Sequence, residues 1–299
     1  MNFTYEKVHI GGQSGIRILS CDDLQKKLRI PEAIDGLRVL SIGKQAFNEH
    51  NSGLEEVVLP DGLAELQSFA FSFCSGLKKL TLSDGIRLFH DGAVRTCFAL
   101  RDIELKMSSH DYTLARRLLG DSDRRLRITF RLPGHDIRLV FPEYYSNSIE
   151  DTKSQAFHIR IDGTGFSYRE CVCTGGIRLR EYDGLFRRTL SSDEPAVPLE
   201  IAAARLMYPQ GLSEAAKEVY CTYLKEHMDE ALKLSFLPEN DGWPEMLLTE
   251  ALLSKEDIDP ALRLASFYRK TEFSGELLEY RRRNFQDRKG AVLTLSDEW

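Results

Sequence analysis

Between Gly53 and Leu105 the apolar positions return every 23 residues. Gly53–Ser75 reads GLEEVVLPDGLAELQSFAFSFCS, Gly76–Phe98 reads GLKKLTLSDGIRLFHDGAVRTCF, and Ala99–Leu105 restarts as ALRDIEL. In this alignment Leu54, Leu77 and Leu100 share a phase, as do Val57, Leu80 and Ile103, and Leu59, Leu82 and Leu105. Leu63 falls with Ile86, Leu66 with Phe89, Ala70 with Ala93, and Cys74 with Cys97. The L-x-x-L-x-L core predicts a short strand whose alternate side chains enter one interior. Pro60-Asp61-Gly62 and Ser83-Asp84-Gly85 then supply the turns, with Gly62 and Gly85 demanded by the backbone. One such coil cannot bury its own apolar edge, so coils stack and equal phases form ladders down the interior. Cys74 and Cys97 read as small apolar members of a ladder, in preference to a disulfide or metal pair.

An earlier and less regular unit, IPEAIDGLRVLSIGKQAFNEHNS from Ile30 to Ser52, follows the same scheme through Ile42-Gly43 and Ala46-Phe47. Its opening, IPEAIDGLRVLSIGKQAF, resembles the first repeat of the BspA-type bacterial leucine-rich repeats, and the similarity extends over about residues 20–105. The resemblance implies a solenoid used for adhesion or protein binding, with no catalytic residues in the repeats. Met1–Ser20, with its hairpin-like VHIGGQSGIRIL, is expected to close the N-terminal end of the stack.

After Leu105 the period is lost. Residues 111–119 predict a short helix. Leu126, Ile128, Phe130 and Leu132 then alternate, Pro133-Gly134 turns the chain, and Ile137, Leu139 and Phe141 return, which predicts a hairpin. A second hairpin is expected from AFHIRI at 156–161, a turn at 162–165, and FSYRECVC at 166–173. SSDEPAVP near 191–198 marks a linker, and beyond it short helices follow. Ser213, Asp259 before Pro260, and Ser274 are the expected caps, and Pro244 marks a further helix start.

The fold class is therefore α+β and multidomain. A leucine-rich-repeat solenoid with an N-terminal cap fills 1–106 and a β-rich middle domain 107–195. Stacked helical hairpins of ankyrin- or HEAT-like architecture fill 196–285, ahead of a tail at 286–299. The stretch RLMYPQGLSEAAKEVYCTYL in the helical end resembles uncharacterised clostridial-type leucine-rich repeat proteins, which implies no activity.

Composition narrows the function. Hydrophobic residues make up 42% and charged residues 29%, an ordinary globular balance. Net charge is −2 over 1–105, +4 over 106–188 and −6 over 196–299, and +4 over so long a stretch does not point to nucleic acid. No apolar run approaches the roughly 18–20 residues of a membrane span. The start, MNFTYEKVHIGGQSG, has neither a basic nor a greasy leader segment, so a cytoplasmic protein is expected, with the cell surface as the alternative for a trimmed chain.

Chemistry has few candidates. Cys171-x-Cys173 with His158, His110 and His135 is the only metal-like set, and it lacks the second close pair that structural zinc sites use. A nucleophilic Cys171 or Cys173 beside His158 has no identifiable oxyanion hole. Glu170, Glu181 and Asp183 near Arg178 and Arg180 could form a site or an ion network. The expectation is a non-catalytic protein-binding scaffold without cofactor or metal. Its face carries Glu55, Lys78 and Arg101, and likewise Glu56, Lys79 and Asp102, and the groove beside the helical end adds to it. An enzyme with a site in 126–188 and an exported adhesin-like protein are the alternatives.

Overall fold

The computed structural model describes residues 2–22, 25–47, 53–151 and 156–285. They fall into two compact units, Met1–Lys217 and Glu218–Trp299.

In the first unit the coils that begin at Lys27, Glu56 and Lys79 each contribute to both of two sheets, following those strands of the first with Leu37–Ile42, Glu65–Leu66 and Leu88–Phe89 in the second. The first sheet runs β3 (Lys27–Arg29), β6 (Glu56–Val58), β8 (Lys79–Ser83), β10 (Asp102–Lys106), β11 (Leu126–Leu132) and β12 (His135–Phe141), parallel until the last, antiparallel pair. Register fixes the ladders: Leu28, Val57, Leu80, Ile103, Ile128 and Leu139 stand opposite one another in turn. All six are buried. The parallel sheet thus runs on beyond the last 23-residue period, because β11 repeats the inward alternation of β10 although the intervening chain has a different length.

The second sheet begins with the hairpin of β1 (Asn2–Ile10) and β2 (Gln13–Asp22), followed by β5 (Leu37–Ile42), β7 (Glu65–Leu66) and β9 (Leu88–Phe89); β4 (Ala33–Ile34) pairs with β5. Ile18, Ile42, Leu66 and Phe89 form its inner ladder. The N-terminal segment therefore joins the stack as an antiparallel hairpin laid along β5.

Turns between the sheets are built on left-handed residues that recur from coil to coil: Gln45, Phe69 and Gly92 at φ 57°, 60° and 74°, and Phe73 and Thr96 at 65° and 66°. Gly92 answers a second need, since a Cβ there would stand 2.5 Å from the Phe69 ring. Neither Gly62 nor Gly85 is left-handed, which corrects the sequence reading of their role. Phe47 and Phe71 stack at 5.0 Å in adjacent coils. The Cys74 and Cys97 thiols donate to the Phe47 and Phe71 carbonyls of the preceding coil, at 3.1 and 3.0 Å. They are ladder members, as expected.

After β10 comes α1 (Thr113–Gly120), whose Arg117 donates to the Phe89 carbonyl of β9, the last strand of the second sheet, at 3.0 Å. Each coil's turn amide bonds to the next coil's carbonyl, Phe47 to Ala70 and Phe71 to Ala93. At the last coil Asp121 replaces that carbonyl, accepting the amides of Gly92 and Val94 at 2.8 and 3.0 Å.

β13 (Tyr145–Asp151) and β14 (Ala156–Asp162) form a hairpin. The expected partner strand at 166–173 is instead α2 (Gly165–Glu170), followed by β15 (Val172–Cys173) paired with β16 (Gly176–Ile177). Gly165, Tyr168 and Arg169 are the buried positions of this segment. Their spacing of three and one matches a helical face and not the alternation of a strand.

Arg169 ties this region together by donating to the carbonyls of Leu119, Ser122, Arg124, Pro142 and Gly165. Then come α3 (Leu179–Gly184), α4 (Phe186–Ser192) and α5 (Ala196–Met207), and α5 packs on β12. The Tyr182 hydroxyl both donates to the Val140 carbonyl and accepts its amide, at 2.6 and 3.0 Å, closing the outer edge of β12.

α6 (Glu214–Glu226) leads into the second unit, which holds α7 (Met228–Ser235), α8 (Trp243–Thr249), α9 (Ile258–Phe267) and α10 (Thr271–Phe285). Ser213 caps α6 through the Ala216 amide. The other two expected caps are displaced. Asp257 precedes α9 and is held by Ser254, while Ser274 lies within α10 with its hydroxyl on the Lys270 carbonyl. Phe236, packed on Tyr268 and Phe273, joins α7 to α9 and α10. The tail at 286–299 lies outside the described residues.

Candidate binding surface

The outward positions of the first sheet are set by its inward ones, because side chains alternate along each strand. Register therefore lines up Lys27, Glu56, Lys79, Asp102 and Arg127, whose signs alternate from coil to coil. Lys27 meets Glu56 at 2.9 Å, and Arg127 clasps Asp102 with two bonds of 2.5 and 3.0 Å. Lys79 reaches diagonally to Glu104 at 3.8 Å. Opposed charges on neighbouring strands are mutually favourable, and exposed pairs of this kind each contribute only about 0.2–1 kcal/mol.

One residue earlier the alternation covers Lys26, Glu55 and Lys78 and is broken by Arg101, a second cation beside Lys78. Glu55 bridges Lys26 at 2.9 Å and Lys78 at 3.0 Å, and these two ammonium groups, Lys26 foremost, hold its carboxyl at about 2. Arg101 follows in register through its backbone, its amide bonding to the Lys78 carbonyl. Its side chain leaves the row: Nη1 donates to the Phe98 and Leu100 carbonyls at 3.2 Å. Burial, and after it the neighbouring Arg125 guanidinium, lowers the Arg101 pKa. It lines a cleft of ≈ 290 Å³ with Arg125, Glu143, Tyr145 and Asp193. Of the six residues singled out, Glu55, Lys78, Glu56, Lys79 and Asp102 therefore share one charged face, and Arg101 turns into the cleft beside it.

A second cleft, ≈ 360 Å³, lies between the last turn of the repeat and the chain after α1; Arg95, Phe98, Asp123, Arg124 and Tyr144 line it. Neither Arg95 nor Phe98 stands out in the sequence, since each shares its phase with a serine of the preceding coil, Ser72 and Ser75, and not with an apolar residue.

The second sheet carries a network that the sequence did not disclose. Arg17, Ser41 and Glu65 stand opposite one another on β2, β5 and β7. Glu65 Oε2 accepts from the Ser41 hydroxyl at 2.6 Å and from Arg17 at 3.0 Å, while His90 lies 3.3 Å from Oε1. The hydroxyl is bound to a carboxylate and not to an imidazole, which is not the arrangement that activates a serine nucleophile. Burial works to raise the Glu65 pKa, but Ser41, Arg17 and Gln67 together bring it below the usual value.

The chemistry considered for the middle segment is dispersed. Asp183 is engaged by Arg205 through bonds of 2.8 and 3.1 Å, and Glu181 pairs with Arg178 at 2.8 Å. None of Glu170, Arg178, Arg180, Glu181 and Asp183 lines either cleft. Burial pushes the Cys171 thiol to about 11, and it donates to the Ser167 carbonyl at the end of α2. The His158 side chain lies outside the described residues. Among the described residues, no group of three or more His, Cys, Asp or Glu is placed to hold a metal ion. No described helix is long and apolar enough to cross a membrane.

Two sheets, regular coils and interior ladders define a leucine-rich-repeat solenoid. Residues 22–114, about a third of the chain, match the BspA type leucine rich repeat region in six copies, so this stretch of the protein is a BspA-type repeat.

Among solved structures, a leucine rich cell surface protein from Faecalibacterium prausnitzii A2-165 is 23% identical over 34% of this chain and 31% of its own, with a TM-score of 0.29. A leucine-rich repeat protein from Bacteroides capillosus is 24% identical over 34% of this chain and 88% of its own, at 0.28. The leucine rich repeat protein of T. pallidum is 19% identical over 34% and 68%, at 0.24. The chain thus spans less than a third of the length of the Faecalibacterium structure. No curated protein matches it. These matches lend nothing to the resemblance drawn for the helical end.

Proposed function

We propose that this protein is a non-catalytic scaffold that holds a protein partner against the outward face of its first sheet. The observation that supports this reading is the in-register row Glu56, Lys79 and Asp102, flanked by Glu55 and Lys78. A rigid stack presents these charges at fixed intervals, so a partner can be matched by position as well as by sign. Because each charge already has a neighbour of opposite sign, the face suits a partner that exchanges ion pairs with it, and long-range attraction between net charges is secondary.

The reading is tested by affinity capture with the wild type and with a Glu55→Lys, Lys78→Glu, Lys79→Glu variant whose circular dichroism is unchanged. Loss of a reproducibly captured partner is expected. Equal recovery by both proteins removes this face as the binding surface.

A further inference from the structure

The ≈ 360 Å³ groove at the end of the repeat brings together two arginines whose ion pairs are all long. Arg95 has Asp91 at 3.5 Å and Asp121 at 3.9 Å. Arg124 has Asp123 at 3.8 Å and Glu143 at 4.0 Å. Charge-assisted guanidinium–carboxylate bonds close to about 2.7–2.9 Å where the geometry serves them. These side chains are half-exposed, and their donors stay available to a ligand entering the groove. Phe98, 56% exposed, lines the same groove, with the Arg124 guanidinium 5.5 Å above its ring. An exposed phenylalanine beside two half-exposed guanidinium groups offers an incoming segment an apolar face and two cations together.

The walls are held from behind. Asp121 grips the amides of Gly92 and Val94 on one side. On the other, Arg169 donates to the carbonyls of Ser122 and Arg124, and its guanidinium lies 4.9 Å from the Tyr144 ring. Such support lowers the cost of ordering the groove on binding.

We propose that this groove binds an acidic segment of a partner protein, seating one carboxylate between Arg95 and Arg124 and laying an adjacent aromatic side chain on Phe98. The proposal rests on the reading of the protein as a binding scaffold and gives the partner a chemistry. A singly charged carboxylate suits the site better than a phosphate, because Asp123 stands at the rim and Asp121 behind it, and both repel a dianion.

The test is fluorescence anisotropy with the full chain and three labelled peptides of equal length. Their cores are glutamate-phenylalanine-glutamate, the glutamine counterpart, and a counterpart with phosphoserine in place of glutamate. The glutamate peptide is expected to bind with a Kd on the order of 10–100 µM, weakening about tenfold in Arg124→Met and in the glutamine counterpart. Phe98→Ala should weaken it severalfold while leaving the salt dependence in place.

Equal binding of the glutamine peptide overturns the proposal, as does tighter binding of the phosphoserine peptide. Failure of all three to bind does so as well, leaving two solvated arginines. The strand-face variant Glu55→Lys, Lys78→Glu, Lys79→Glu should keep the peptide affinity. A result in which peptide binding persists but partner capture is indifferent to those reversals would therefore sink the strand-face reading alone.

Discussion

The carboxylate of Asp121 accepts the amide proton of Val94 at 3.0 Å, in the place where, one coil earlier, the Ala93 carbonyl accepts from Phe71. A side chain from outside the repeat thus imitates the backbone of a coil that does not follow. Asp121→Ala leaves the Gly92 and Val94 amides without acceptors, and the expected loss is about 2–4 kcal/mol. Asp121→Asn, which keeps an acceptor oxygen, should lose less. Urea denaturation of the three proteins checks the order.

Arg169 satisfies carbonyls from α1, from the chain that follows it, from the end of β12 and from α2. Burial lowers its pKa to about 10, so it remains charged at neutral pH. Arg169→Met should cost about 3–5 kcal/mol, because several buried acceptors lose their donor together. A thermal shift no larger than that of an exposed arginine control would count against this account.

Tyr182→Phe removes the hydroxyl that serves both edge groups of Val140. The expected cost is about 1–3 kcal/mol. The variant should also show concentration-dependent association by light scattering, because an unprotected strand edge invites pairing.

Glu65 gives the fold a pH dependence. Its pKa is lowered on folding, so its stabilising contribution is present above the ordinary carboxylate range and lost as pH falls through the lowered value. The Tm difference between wild type and Glu65→Gln should be widest near neutrality and close as pH falls below the ordinary carboxylate range. A gap that is constant with pH would contradict the Arg17–Ser41–Glu65 network as its source.

Burial pushes the thiols of Cys74 and Cys97 up to about 12. Alkylation at neutral pH followed by peptide mapping should leave both unmodified in the native protein and label both in denaturant, while the half-buried Cys21, Cys173 and Cys221 react before them.

What the sequence made legible was whatever period and alternation encode. The 23-residue spacing placed Leu54, Val57, Leu59 and their counterparts in the interior, and the Leu126–Phe141 hairpin followed from strict alternation around Pro133-Gly134. The second hairpin failed because FSYRECVC has apolar residues that fit a strand about as well as one short helix, and burial of Tyr168 and Arg169 decided for the helix. The face carrying Glu55, Lys78, Glu56, Lys79 and Asp102 was readable because register is a consequence of the repeat. The turn of Arg101 into a cleft was not, since it depends on carbonyls of the preceding turn and on Arg125 from a distant segment. Asp121, Arg169 and Tyr182 carry no local signal, because each answers a need created by residues far away in the chain.

The alternating row Lys27, Glu56, Lys79, Asp102 and Arg127 also gives the stack a parity. Losing or gaining one coil within it would set two cations or two anions on neighbouring rungs, whereas a change of two coils restores the alternation. The order of charges along this row is therefore specific in a way that the apolar interior, where Leu, Val and Ile replace one another from coil to coil, is not.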